Sequence, residues 1–259
     1  MDKILKNEED AQKLLDIAAK TGEILMKNGA EIYRIEDTID RICNSWTGFQ
    51  SVDVFAMTTS LFISARFEDK PLTMIIRETR PSISLEHINL ANAFSRNFCK
   101  SKMCFTEAMD ELKSIENHKS YGILLKSLGA GMTSAFFSIM FGGNLKDFIS
   151  SLIIGTVVSY ILLIPKKITL PLFFDDLFSG FLSSLFAVLF LELGIGSSLD
   201  MIIIGTIMPY VPGVAITTSL RDIMAGDYVS GLMMMIKAIF TALAIAFGVG
   251  IILAPYLGG

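Results

Sequence analysis

Residues 209 to 228 read PYVPGVAITTSLRDIMAGDY, and the stretch gathers Pro209, Pro212, Gly213, Thr217, Thr218, Arg221 and Asp222 between two strongly apolar runs. The prolines remove helix hydrogen bonds and the glycine permits a bend, so amides and carbonyls near this point lack partners within the helix. In lipid, such backbone persists only where protein or a water-filled cavity satisfies it. The threonine hydroxyls extend the polar surface, and Arg221 offers a cation beside the carboxylate of Asp222. Lys237 stands about two turns into the following apolar run. An ionisable side chain at the centre of a span costs about 2.5–3.5 kcal/mol unless it faces a cavity or a partner. Asp175 and Asp176 open an earlier apolar run, where carboxylates suit a helix N-terminus as well as a functional role. The chemistry on offer is non-covalent: a discontinuous helix that lines a pathway for a small anion or zwitterion, with Arg221 or Lys237 as the cationic partner. A proline kink followed by a cytoplasmic turn is the plainer alternative.

A second polar group lies near the N-terminus, where GAEIYRIEDTIDRIC carries Glu31, Arg34 and Glu36. Solvated pairs three apart on a helix face account for it, and it is the sole hint of an acid–base pair. His87 and His118 have no Cys or carboxylate at catalytic or metal-ligand spacing, which predicts surface or helix-end histidines. Cys43, Cys99 and Cys104 form no CxxC motif, so reduced structural thiols in a cytosolic compartment are expected and no metal site. Neither a glycine-rich phosphate loop nor a nucleophile elbow is present, and no cofactor is expected.

The elements that position these residues fall into two regimes. The chain is 52% hydrophobic with mean hydropathy +0.55, yet 19% of it is charged. Residues 1 to 120 hold 16 of the 22 Lys and Arg and 19 of the 26 Asp and Glu. A cytosolic α+β domain over 1–120 and a transmembrane domain over 121–259 are therefore expected. In the first, Leu14, Leu15, Ala18, Gly22, Leu25 and Met26 form one helical stripe that Gly29 can end. Asn28, three before Glu31, resembles a capping-box start for a second helix with Ile32, Ile35, Ile39 and Ile42 inward and Glu31, Arg34, Thr38 and Arg41 outward. Residues 52–67 and 71–77, parted by the turn-like EDKP, predict a hairpin or three short strands. Helices capped at Ser84 and Thr106 follow.

In the second regime five segments reach membrane-spanning length: about 121–140, 148–164, 175–193, 199–217 and 229–253. The fold class expected is an α-helical membrane protein with five transmembrane helices, preceded by a small α+β cytosolic domain. FGGNLKD, PKKITLPLFF, GIGSSLD and SLRDIMAGD read as the connecting turns. Lys166 and Lys167 follow the second span and Arg221 the fourth, whereas 194–199 carries no base, so the N-terminus is expected in the cytoplasm and the C-terminus outside. Gly129, Gly131, Ser134, Ser138, Gly155 and Ser159 are small residues at helical spacing that let helices approach closely, and Lys126 can snorkel at a helix end. The acidic N-terminus lacks a signal-peptide pattern, so the first span serves as its own insertion signal. A net charge of -4 argues against nucleic acid as a partner.

GAEIYRIEDTIDRIC and PGVAITTSLRDIMAGDYVSGLMMMIKA resemble the two sequence landmarks of the bacterial threonine/serine exporter family, with a similarity that runs from about residue 12 to 250. The resemblance implies an inner-membrane exporter component, and specifically the larger subunit of split systems such as the paired proteins assigned to succinate export. Its expected partners are an amino-acid or dicarboxylate substrate, the lipid bilayer and a separate short membrane subunit that would complete the five spans; a homo-oligomer stays open. A membrane-anchored enzyme with a catalytic N-terminal domain is the competing reading, and a bare anchor needs neither a Pro-Gly break nor Lys237.

Overall fold

The computed structural model describes residues 3–78, 83–119, 121–164 and 172–258. Lys166 and Lys167 lie outside the described residues. The chain divides into two units, Met1–Ser120 with Thr218–Met233, and Tyr121–Thr217 with Met234–Gly259.

In the first unit, helix α1 (Glu8–Lys27) starts at Asn7, whose side chain accepts from the Asp10 amide at 2.8 Å, and three acids occupy its first turn. Its apolar stripe is buried, and Gly22 lets α2 (Ile32–Asn44) and the sheet come close, since a Cβ there would stand 2.6 Å from Ile39 Cδ1. Gly29 takes φ +78 and turns the chain. Asn28 does not start α2: its amide donates back to the Ile24 carbonyl at 2.8 Å, closing α1, and Glu31 stands at the N-cap of α2 without a capping bond. Thr38, expected outward, is buried.

Strands β1 (Ser51–Ala56), β2 (Ser60–Phe67) and β3 (Lys70–Arg77) form an antiparallel meander in that order. Alternation on β2 sends Leu61, Ile63, Ala65 and Phe67 into the core. Glu68 and Asp69 both take positive φ, 47° and 63°, as a tight hairpin of this twist requires. Helix α3 (Leu85–Lys100) is capped by Ser84 as expected, whereas α4 (Phe105–Glu116) begins two residues early, with Cys104 at the cap and Thr106 inside the first turn. Both histidines stand at helix ends, and His118 is exposed as expected, but His87 is not on the surface. His87 is buried against Ser84 Oγ at 2.7 Å, and His118 Nε2 meets Glu86 at 2.9 Å, a carboxylate that sequence spacing does not reveal. Burial pushes the Cys43 thiol up to about 12, which suits an inert core residue.

The second unit holds α5 (Ile123–Met140), α6 (Leu145–Leu163), α7 (Leu172–Glu192), α8 (Leu199–Ile207), a 3₁₀ turn (Met208–Tyr210) and the first turn of α9 (Gly213–Ala225); α10 (Tyr228–Gly258) enters it from Met234 onward. Among the described residues four helices are long and apolar enough to cross a membrane, and the bent pair α8–α9 makes up to five. The segment expected at 199–217 is thus not one helix. It breaks by 52°, and α9 runs on through Arg221 and Asp222 to Ala225, so the turn read in SLRDIMAGD is confined to its end, where Gly226 takes φ +99.

Small residues bring these helices together. A Cβ on Gly131 would stand 2.7 Å from the Leu152 carbonyl, and one on Gly205 would stand 2.6 Å from the Ser134 carbonyl, so α5 meets α6 and α8 backbone to backbone. Gly129 faces open space and takes no part. Asp147 closes a capping box with Asn144 at the start of α6 and reaches further, its Oδ1 accepting from the Ser197 and Ser198 amides at 2.7 and 2.9 Å.

Candidate functional site

The chain break that motivates a pathway is built by proline. The 3₁₀ turn contains Pro209, Val211 is extended, and Pro212 precedes α9. Gly213 keeps an ordinary backbone conformation and faces open space, so the bend comes from the prolines. Freed backbone groups find local partners: Val211 donates to the Ile207 carbonyl at 3.2 Å and Gly213 to Val211 at 2.8 Å. Thr217 donates to the Gly213 and Val214 carbonyls at 3.2 and 3.0 Å, which occupies its hydroxyl inside the helix. A cleft of 370 Å³ opens beside the break, and Ile207, Val211, Pro212, Ala242, Ala246 and Val249 line it. The side chains that line this cleft are apolar.

Polar groups gather elsewhere in the second unit, on facing turns of α7 and α10. Thr241 donates to Asp176 Oδ2 at 2.7 Å, and Lys237, one turn before Thr241, acts electrostatically on the same carboxylate. Asp175 precedes it in the first turn of α7, which starts at Leu172 rather than at the aspartates. Ser179 donates to the Asp176 carbonyl at 2.6 Å, and the fully buried Ser183 hydroxyl has no partner among the described residues. Close approach makes this possible, because Gly180 packs against Ile245 and a Cβ on Gly248 would stand 2.7 Å from the Phe181 amide. A carboxylate, an ammonium and hydroxyls on two packed helices can hold a molecule that carries both charges.

The other predicted residues meet in the first unit. Arg221 Nη1 pairs with Glu31 Oε1, while Arg34 Nε takes Glu31 Oε2 at 3.1 Å. With Arg221 59% and Glu31 23% exposed, this is a surface pair worth at most about 1 kcal/mol. Glu36 Oε1 accepts from the Ala56 amide at 2.8 Å, and Asp222 is buried. Thr218 belongs to the same unit. Sequence spacing therefore grouped Arg221 and Asp222 with the break, whereas the structure groups them with Glu31. Asp227, Thr241, Ser183 and Asp147 were missed. Of these, Thr241 carries a readable signal, four residues from Lys237.

Burial raises the Glu36 carboxyl above its ordinary 4.5, the charge of Asp227 adds to this, and the Ala56 bond opposes it. Below the ordinary value both folded and unfolded chains hold the proton. As pH rises toward the raised value the unfolded chain releases it first, so stability falls across that window. Glu36→Gln keeps an oxygen for Ala56, and the full chain carrying it is expected to lose this slope. Trp46, the single tryptophan, packs on Phe105 with ring centroids 4.6 Å apart and reports the unfolding by fluorescence.

Among the described residues, no group of three or more His, Cys, Asp or Glu could hold a metal ion. The family model described as "Putative threonine/serine exporter" matches residues 16–256. No curated protein and no solved structure matches the chain.

Proposed function

The chain belongs to the threonine/serine exporter family, and on that premise we propose that it carries a threonine- or serine-type amino acid out through the bacterial inner membrane, working with a separate short membrane subunit. Members of this family are membrane transporters and not enzymes. The observation that carries the reading to a site is the Asp176–Thr241–Lys237 group on α7 and α10. In this role Asp176 takes the substrate ammonium, Lys237 its carboxylate and Ser183 a hydroxyl. Such groups are retained in a span because the alternative, an unpartnered charge in lipid, is costly. A dicarboxylate such as succinate would suit Lys237 but meet repulsion from Asp175 and Asp176, which favours the zwitterion. The bend at Pro209 and Pro212 supplies the irregular backbone on which one helix segment can move against another.

Topology follows the charge bias. Lys166, Lys167 and Arg221 place their ends of the spans in the cytoplasm with the N-terminus, and the C-terminus lies outside. Cysteine tags at Ser197 should label from outside and at Lys167 from inside; the reverse would overturn this arrangement.

The test of function is amino-acid efflux normalised to inserted protein, in cells with and without a candidate short subunit. Losing one charged contact worth about 1.5–3 kcal/mol corresponds to about ten- to a hundredfold in rate, so Lys237→Met should lower threonine efflux by that factor without loss of insertion. Pro212→Ala should restore helix hydrogen bonding and lower efflux while raising thermal stability. Arg221→Gln should weaken efflux less, since its charge lies on a surface pair. Unchanged efflux in all three would remove the site assignment, and no efflux of any amino acid by the wild type with its partner would remove the function.

A further inference from the structure

Asp222 is a carboxylate without a donor. It is 1% exposed, and among the described residues neither of its oxygens finds a hydrogen-bond donor. The charged groups acting on it are Asp227, which enters from the turn before α10, Glu31 from α2 and Arg221 from its own helix. Two of the three repel an anion. The third, Arg221, is already held by Glu31, which also keeps Arg34. Around this group Glu36 adds a further negative charge that acts on Asp227.

An ionised carboxylate buried with no donor is among the costliest arrangements in a protein, several kcal/mol in practice, and is relieved by neutralising the group. Three kinds of cation could do so. A metal ion needs several ligands, and among the described residues no group of three or more His, Cys, Asp or Glu is arranged to supply them. An organic ammonium needs space beside the oxygens, and a side chain with 1% exposure offers little. A proton needs no space and no further ligand.

We propose that Asp222 is a proton-binding site whose deprotonation opens the Glu31–Arg221 ion pair. With the proton on a carboxyl oxygen, Asp222 is neutral and Arg221 stays with Glu31. When that proton passes to water, the new anion, on which the Arg221 charge already acts, competes for that guanidinium, and Glu31 is left with Arg34. The pair is a two-state element that one proton biases, since a ligand shifts an equilibrium by its differential affinity for the two states. Its use, a proton taken up and released during an export cycle, rests on the exporter reading; the site itself does not.

The experiment uses the full chain in lipid nanodiscs and needs no transported substrate, so its failure is separate from failure of the exporter reading. An acid-minus-alkaline infrared difference spectrum should show a protonated-carboxyl band that is absent from Asp222→Asn and present in Glu36→Gln. In parallel, spin labels at Tyr33→Cys on α2 and Met224→Cys on α9, with Cys99 and Cys104 replaced by Ser, should change separation between the two pH values in the wild-type background. They should hold one separation in Asp222→Asn. If Asp222→Asn does not fold, Asp227→Asn serves: removing that repulsion should move the loss of the band to lower pH. A band that survives in Asp222→Asn, a midpoint unmoved by Asp227→Asn, or a label separation independent of pH would each overturn the proposal. So would a midpoint that shifts when sodium replaces potassium, which would make a metal cation the ligand.

Discussion

Asp147→Ala is expected to destabilise the second unit by about 3–5 kcal/mol. Asp147 is 1% exposed, and its two oxygens accept three backbone amides, those of Ser197 and Ser198 on Oδ1 and that of Asn144 on Oδ2 at 3.0 Å. Hydrogen bonds to a charged acceptor contribute about 1.5–3 kcal/mol each, and donors left unpaired by the truncation add their own desolvation cost. The sum is reduced because water can reach the loop end. Two regions 50 residues apart also lose the pin that holds the residues before α8 to the start of α6. Asp147→Asn keeps one carbonyl oxygen and should lie between wild type and alanine. Thermal unfolding of the detergent-solubilised chain, followed by size exclusion, checks the order. The Trp46 fluorescence transition, which reports the other unit, should stay within about 0.5 kcal/mol of wild type, as for sites that share no partner.

Gly248→Leu should part α7 from α10. A Cβ at this position would stand 2.7 Å from the Phe181 amide nitrogen and 3.1 Å from the Leu177 carbonyl carbon, and both neighbours are backbone, which cannot swing aside. Overpacking a well-filled contact costs about 1–3 kcal/mol, and more where the backbone must shift. Displacing α10 would also part Thr241 from Asp176, so amino-acid efflux should fall with stability. Gly250 is the internal control. It lies in the same helix with nothing within 4 Å of its Cβ position, and Gly250→Ala should be neutral or gain up to about 1 kcal/mol from helix propensity. Loss of stability in both variants alike would mean that helix flexibility, not contact, is what Gly248 supplies.

Local physics made much of the architecture readable. The stripe from Leu14 to Met26, the alternation of β2, the Ser84 cap and the Gly29 stop each depend on residues within a few positions of one another, so sequence spacing carries the signal. Arg221 and Asp222 misled for the same reason. Charged residues after a proline break read as a turn, yet Arg221 finds its counter-ion 190 residues away and the helix continues through it. Asn28 reads as the start of α2, yet with the left-handed turn placed at Gly29 it closes α1 instead. Gly129 and Gly131 look alike in sequence; only the direction of the neighbouring helix separates the contact from the bystander. The Asp176–Lys237 grouping needed α7 and α10 to pack side by side, information that no single helix contains.

The membership of Thr218–Met233 in the same unit as Met1–Ser120 has a consequence for biosynthesis. Glu31 leaves the ribosome 190 residues before Arg221. At about 5–20 residues per second, that is a wait of about 10–40 s. Throughout it, the end of α2 that carries Glu31 and Glu36 is made but unaccompanied, while several apolar helices pass through the insertion machinery. Closing so large a loop adds little equilibrium cost, because loop entropy grows only with the logarithm of length, so the burden is one of time. The N-terminal sheet and helices must stay free of wrong partners until the hairpin of α9 and α10 is made and arrives to complete them.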